Sequence, residues 1–315
     1  MNPLSALFYV AVRVRNELYN RGSLTVRRLR GPVVSIGNLT VGGSGKTPFL
    51  VLLGGLLKKR GVQFGVLSRG YGRRTSGVAL VDPEGSARDF GDEPLLIARK
   101  LGVPVVVGED RFAAGQYSEE KFGSRLHLLD DGFQHRQLAR DFDIVLVTAE
   151  DSGDSLMPVG RLREPLSSLR RADAIVLTDN SRADVPGFDN QHVWRARRGV
   201  VVPSIAGPSI AFCGIARPKQ FFEQLHGAGI QLVATRSFRD HHAYTRADVQ
   251  ELVALRRQAA AAAFITTEKD AANLGPELAS LEPIHLVFVD MQLENEDAAV
   301  DALLNTIAER RNRSS

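Results

Sequence analysis

The stretch Val33-Val-Ser-Ile-Gly-Asn-Leu-Thr-Val-Gly-Gly-Ser-Gly-Lys-Thr-Pro48 decides the fold. It reads as a buried strand, a glycine-rich turn and the first turn of a helix. Gly45-Lys46-Thr47 is the core of a P-loop, in which backbone N–H groups surround phosphate oxygens and glycines let the backbone approach. In such a loop the lysine reaches the β- and γ-phosphates and the threonine hydroxyl ligates Mg²⁺. The following helix turns its positive dipole end toward the anion, and Pro48 suits its first turn. The loop Thr40, Val41, Gly42, Gly43, Ser44, Gly45, Lys46, Thr47 is therefore the expected nucleotide cradle, although Thr40 stands where the standard pattern has glycine. Phe49, Leu50, Val51, Leu52, Leu53, Leu56 and Leu57 make the helix after it apolar.

Downstream, apolar runs alternate with helical patterns. Runs at 62–68, 78–81, 103–108, 125–132, 143–147 and 174–178 predict a mainly parallel α/β sheet covered on both faces. The run Leu126-His-Leu-Leu-Asp-Asp131 is the most informative. An apolar strand ending in two carboxylates has the form of a Walker B segment, so Asp130 and Asp131 join Thr47 as candidate Mg²⁺ ligands. Arg69-Gly-Tyr-Gly-Arg-Arg74 follows a strand, at the edge where α/β sheets bind ligands, and its arginines suit phosphates or carboxylates. Asp92 and Glu93 begin a helix. Acids are favoured there as caps, and the residues alone leave open whether one of them is a base.

The pattern restarts near Gly199. Residues 1–198 are expected to form a P-loop domain, 199–208 an extended linker and 209–315 a smaller C-terminal α/β domain. Asp240, His241 and His242 cluster in the second part without the spacing of a zinc site. Thr266-Thr-Glu-Lys-Asp270 sits at a strand end and reads either as a base or ribose contact or as a helix cap by Thr267. The terminal 310–315 are expected to fray.

Composition sets the remaining limits. The chain has 315 residues, 43% of them hydrophobic, with a formal charge of +4. Its single cysteine, Cys213, excludes an internal disulfide and fits a reducing compartment. Arg13, Arg15, Arg21, Arg27, Arg28 and Arg30 crowd the N-terminal region against Glu17, which points to a polyanionic partner. No apolar run is long enough to span a bilayer. Leu4, Leu7, Phe8, Val10, Ala11, Val12 and Val14 beside those arginines suit either an interfacial helix or one packed on its own domain. Aromatics make up 7% of the chain and form no basic stripe, which argues against nucleic acid.

In order along nearly the whole chain, Ser35–Pro48, Ser68-Arg-Gly-Tyr-Gly-Arg73, Gly91-Asp-Glu-Pro94, Gly108-Glu-Asp-Arg111, Leu129-Asp-Asp-Gly-Phe-Gln-His135, Pro158-Val-Gly-Arg-Leu-Arg-Glu-Pro165, Phe238-Arg-Asp-His-His242 and Thr266–Asp270 resemble the tetraacyldisaccharide 4′-kinase family of lipid A biosynthesis. The resemblance implies a P-loop NTPase-like core, ATP with Mg²⁺, and an acylated glucosamine disaccharide 1-phosphate as acceptor, giving lipid IVA. It implies peripheral attachment to the cytoplasmic face of the inner membrane, and a monomer is favoured. It makes Asp92 the base, paired with His241, with Arg111 and Lys46 steadying the transferring phosphate. Thr267 and Glu268 fall to the nucleotide, and Arg73, Glu93, Gln134 and His135 to the acceptor. An NTPase switch and a nucleic-acid-dependent ATPase are the rival readings.

Overall fold

The computed structural model describes residues 2–178, 191–202 and 204–314, with Ser314 described by its backbone alone. Helix α1 (Pro3–Asn20) leads to β1 (Val33–Asn38), the glycine-rich turn and α2 (Lys46–Lys59). Then come β2 (Phe64–Ser68), β3 (Ala79–Leu80), α3 (Ala87–Phe90), α4 (Asp92–Leu101), β4 (Val105–Val107), α5 (Arg111–Phe122), β5 (Leu126–Asp130), β6 (Phe142–Val147) and β7 (Ala174–Thr178). The second part holds β8 (His192–Val201), β9 (Ser209–Cys213), α6 (Pro218–Gly227), β10 (Leu232–Ser237), α7 (Arg246–Gln258), β11 (Ala263–Thr267), α8 (Glu268–Leu274), β12 (Ile284–Leu293) and α9 (Glu296–Ser314).

The strands form one sheet in the order β10-β9-β11-β12-β8-β7-β6-β1-β5-β2-β4-β3. From β4 to β8 neighbours run parallel, and β3 is antiparallel at the edge. Alternation along each strand sorts the core. Val34, Ile36, Leu128, Ile144 and Leu146 pack under α2, α4 and α9, whereas Val33, Leu67, Val106 and Leu129 pack with Ala114 of α5 on the other face. Such two-sided burial is what a parallel sheet needs, and it accounts for the near-continuous apolar runs.

The join between the two parts differs from the sequence expectation. Residues 199–201, read as the start of a linker, are the last three of β8. The alternation of buried Trp194 and Ala196 with exposed neighbours was the available sign of this strand. β7 pairs β8 only along His192–Ala196, and β11 pairs β12 only along Ile284–Val287. Between these, Ala196–Val201 pairs antiparallel with Leu293–Phe288. Among the described residues no third strand pairs with this ribbon beyond Ala196, and it spans about 17 Å at about 3.3 Å per rung. Because β12 runs opposite to β8, the ribbon turns the carboxyl edge of one half of the sheet toward that of the other. The cleft lies between those two edges, the places where parallel α/β sheets present their loops.

The C-terminus also departs from expectation. Residues 310–314, predicted to fray, continue α9. Arg310 forks onto Asp173, and Arg311 donates to the carbonyls of Arg30 and Gly31 and to Asp141. These guanidinium–carboxylate contacts hold the last turn against the first half of the chain. Cys213 is buried, and burial followed by the charge of Asp270 pushes its thiol up to about 12.

Candidate active site

β1 delivers the glycine-rich loop. Its end carries Gly37, where any Cβ would lie 2.5 Å from the Cβ of Phe133, so only glycine lets the 132–135 turn pack there. Gly45 has φ +86° and ends the loop as the N-cap of α2, a left-handed geometry that glycine adopts without strain. The loop and the helix start line the cleft, whose volume is about 950 Å³, while the Val41 and Ser44 N–H groups donate to the Arg161 and Gly42 carbonyls. Thr40 to Thr47 all line it.

Lys46 is held ready. Its Nζ donates to Asn38 Oδ1 at 3.0 Å and lies 3.5 Å from Asp131. Arg163 forks onto both oxygens of Asp131, at 2.9 and 2.8 Å, and also donates to Asn38 Oδ1. Burial would raise the pKa of Asp131, but Arg163 and Lys46 outweigh it and hold the carboxyl far below the usual range. Its neighbour Asp130 behaves oppositely. Burial, then the charges of Glu93 and Asp131, push its carboxyl up to about 7. Ser68 donates to Asp130 Oδ2 at 2.8 Å, while the buried Oδ1 has no hydrogen-bond partner among the described residues. A buried carboxylate oxygen without a donor is a cation's partner in waiting. Among the described residues no group of three or more His, Cys, Asp and Glu could hold a metal by itself, so a Mg²⁺ here must take phosphate oxygens and water as well. That is the habit of this ion.

Across the cleft, α4 begins at Asp92 because Gly91, with φ +92°, turns the chain where a Cβ would lie 3.0 Å from the Tyr71 carbonyl. Asp92 is buried and accepts three hydrogen bonds. They come from His241 Nδ1 at 2.9 Å to Oδ2, Asn273 Nδ2 at 3.1 Å, and the Glu93 backbone N–H at 2.9 Å. His241 and Asn273 belong to the second half, so this carboxylate joins the two halves. His241 has φ +56°, and its N–H donates to the Gly214 carbonyl at the end of β9. For Asp92, burial works against ionisation, but the His241 hydrogen bond and the charge of Lys269 prevail and hold it below the ordinary carboxylate range. For His241 burial lowers proton affinity, and Asp92 more than reverses that, so the ring titrates above its usual value.

Other expected residues divide. Arg111 and His135 line the cleft. Burial, with Arg69 second, lowers the Arg111 pKa, and its Nη1 donates to the Glu109 carbonyl. Burial and the charge of Arg111 push His135 down to about 4. Glu93 lines the cleft, and so does Gln134, which donates to the Asn38 carbonyl at 3.0 Å. Thr267 and Glu268 line it too, but with other duties. Thr267 caps α8, bonded to Asp270, as the cap reading predicted, and Glu268 pairs with Lys100 at 2.6 Å. Arg73 does not join them. Its guanidinium donates to the Gly77 carbonyl and to Glu109, and Arg69 and Tyr71 of the same loop line the cleft instead. Gly70 and Gly72, both at positive φ, tighten that loop and swing Arg73 away. Sequence reasoning missed Asn38, Ser68, Arg163, Lys269 and Asn273. Asn38, Ser68, Arg163 and Lys269 lay inside quoted motifs, while Asn273 lies outside them and acts on Asp92, 181 residues away.

A family model described as tetraacyldisaccharide-1-P 4'-kinase matches residues 1–308. The chain belongs to this tetraacyldisaccharide 4′-kinase family. The 4′-kinase of Koribacter versatilis is 48% identical over 320 residues, covering 98% of this chain and 99% of its own. That of Geobacter metallireducens is 38% identical, with 96% of each chain covered. The crystal structure of LpxK from Aquifex aeolicus in complex with ATP superposes with a TM-score of 0.79 at 33% identity, over 97% of this chain and 98% of that one. The P-loop NTPase-like α/β fold and the membership of a kinase family thus agree with the sequence expectation.

Proposed function

We propose that the cleft performs the family reaction, transfer of the γ-phosphate of ATP to the 4′-hydroxyl of a tetraacyldisaccharide 1-phosphate, with the work divided as follows. The carrying observation is that the glycine-rich loop of one sheet edge and the Asp92–His241 pair spanning both edges face one cleft. Phosphoryl transfer asks mainly for positioning and charge neutralisation. The backbone of Thr40–Gly45 cradles the phosphates, and Lys46 supplies the positive charge. Arg163 and Asp131 fix where Lys46 can reach. Arg111, aimed into the same cleft, balances charge on the transferring group.

Thr47 and Asp130 suit Mg²⁺, since Asp130 keeps a bare oxygen while both oxygens of Asp131 are engaged. When bound with the nucleotide, the ion neutralises phosphate charge. Asp92 accepts the hydroxyl proton. It is already ionised and its lone pairs face three donors, so it is held in one orientation for an in-line alcohol. His241 keeps that orientation, and its place in the second half makes closure part of assembling the site. Glu93, Gln134 and His135 suit the sugar, and Thr267 and Glu268 the nucleotide's base or ribose. The chain divides near residue 198, with the ribbon of β8 and β12 carrying the connection and α9 packed back onto the first half.

Membrane contact falls to α1. Leu4, Leu7, Val10 and Val14 are exposed, and Leu4, Leu7, Phe8 and Ala11 form an apolar groove with Met157 and Pro158. Ser5 and Asn16 tie the opposite side of the helix to the Leu156 carbonyl and Glu164. No helix of the described residues is long and apolar enough to cross a membrane. An apolar stripe beside arginines suits peripheral attachment at an anionic bilayer surface, here the cytoplasmic face of the inner membrane. The test is ATP turnover with Mg²⁺, with and without a lipid A disaccharide monophosphate in detergent micelles. Labelled phosphate appearing on the glycolipid supports the reading. Turnover stimulated by DNA or RNA and not by the glycolipid sinks it.

A further inference from the structure

Lys269, one residue into α8, is a charged group at the Asp92–His241 pair that has no role in the reading above. Its Nζ lies 3.3 Å from His241 Nε2, 3.0 Å from Asp240 Oδ1, 3.7 Å from Asp92 Oδ2 and 3.9 Å from Glu93 Oε1. An ammonium carries three N–H donors and no lone pair, and an ionised carboxylate only accepts. The imidazole between them has one nitrogen facing each. Nδ1 faces the Asp92 carboxylate and must carry the proton, while Nε2 faces the ammonium and must offer its lone pair.

We infer that Lys269 is a positioning residue that fixes His241 in the Nδ1–H tautomer and so aims the ring's proton at Asp92. This rests on the proposed role of Asp92 and deepens it. The surrounding groups show why a cation is needed. α4 contributes Asp92 and Glu93, the turn after β10 contributes Asp240, and α8 contributes Lys269 with the neutral Asn273. Tyr71 of the loop after β2 meets the ring edge-on at 5.4 Å between centroids. His242 faces away, bonded to Asp248. Asp240 Oδ2 lies 3.8 Å from Nε2. Without Lys269 that carboxylate is left as the acceptor for a proton on Nε2, which favours the other tautomer or the doubly protonated ring. An imidazolium would grip Asp92 in a full ion pair and weaken it as a proton acceptor.

The experiment reads the ring directly. Full-length chain carrying ¹⁵N-histidine is followed by long-range ¹H–¹⁵N NMR across pH, with the His241 signals among the seven histidines identified by their loss in His241→Gln. Above the ring's titration, the unmodified chain is expected to show a protonated Nδ1 and a bare Nε2. Lys269→Met is expected to move the ring toward the Nε2–H or doubly protonated form, and to lift the acid limb of the kcat profile by about one pH unit. Lys269→Arg, which keeps a cationic donor, is expected to restore both. A protonated Nε2 in the unmodified chain would overturn the inference without any variant. So would an unchanged ring signal and pH profile in a folded Lys269→Met chain. If the unmodified chain shows no acceptor-dependent turnover, the proposed function fails while the NMR result still decides the role of Lys269.

Discussion

Replacing Asp92 with asparagine tests the centre of the mechanism. The side chain keeps its size but loses its charge and one acceptor oxygen. In the present site three donors converge on it: His241 Nδ1, Asn273 Nδ2 and the Glu93 N–H. An amide oxygen with its NH₂ cannot satisfy all three, so one donor meets another. A lost general base costs about 10²–10⁴-fold in rate, which is about 2.7–5.4 kcal/mol of barrier at 1.36 kcal/mol per tenfold. An unpaired buried donor costs a further ~1–3 kcal/mol of stability, charged mostly to the contact between the halves. The expected outcome is a kcat down by about 10²–10⁴-fold with ATP affinity retained, since Asp92 stands across the cleft from the glycine-rich loop. Initial rates of labelled phosphate transfer to micellar glycolipid give kcat, and calorimetric titration gives the ATP affinity. A kcat close to that of the parent with ATP affinity unchanged would refute the assignment. A parallel loss of ATP binding would show instead that Asp92 serves the nucleotide.

Asp130→Asn is expected to raise the Mg²⁺ concentration for half-maximal rate by about tenfold or more, whereas Asp131→Asn, which frees Arg163 and Lys46, should weaken ATP binding at saturating Mg²⁺; rate against Mg²⁺ and ATP separates them. Glu164 is fully buried between Arg171, Asn16 and Arg15, so Glu164→Ala should cost about 3–5 kcal/mol in urea unfolding and loosen α1. Burial, only partly offset by Glu119, lowers the pKa of His127. The unfolded chain therefore binds more protons once the pH falls to the ring's ordinary value of 6.5, and stability should fall as pH drops through that value. His127→Gln should flatten this part of a melting-temperature profile, and an unchanged slope would contradict the burial argument. Leu7→Glu places a charge on the exposed stripe of α1 and should weaken sedimentation with anionic vesicles by about tenfold, with ATP affinity intact.

The first half of the sheet was legible because its signals are local. A parallel strand buried on both faces writes itself as an apolar run, and a loop that wraps phosphate needs glycines at set places. Lys46, Thr47, Asp130 and Asp131 could be placed in this way before any contact was seen. β8 was harder to read. Its rungs reach Arg197, Arg198 and Gly199, residues that also make turns, and its partner β12 lies some ninety positions away. From its own neighbours Asp92 read equally well as a cap; the resemblance alone made it the base paired with His241, because no local signal carries a contact 149 residues away. Arg73 shows the reverse fault. Three arginines in a glycine loop are interchangeable as text, and only the positive-φ glycines decide which one faces the cleft.

A hydrogen-bonded ladder resists stretching, since lengthening it breaks rungs, but a two-stranded one yields readily to torsion. The ribbon of Ala196–Val201 and Phe288–Leu293 therefore acts as a caliper of set opening whose jaws can rotate. Ligands of different shape are met by a change of angle, not of gap. The opening can be altered only in steps: one added rung would turn every side chain of the ribbon to the opposite face, so a viable insertion comes as two residues per strand and widens the jaws by about 7 Å. Within this architecture the size of the molecule bridging the two edges is written into the length of a strand pair whose Arg198, Val200 and Met291 line the cleft.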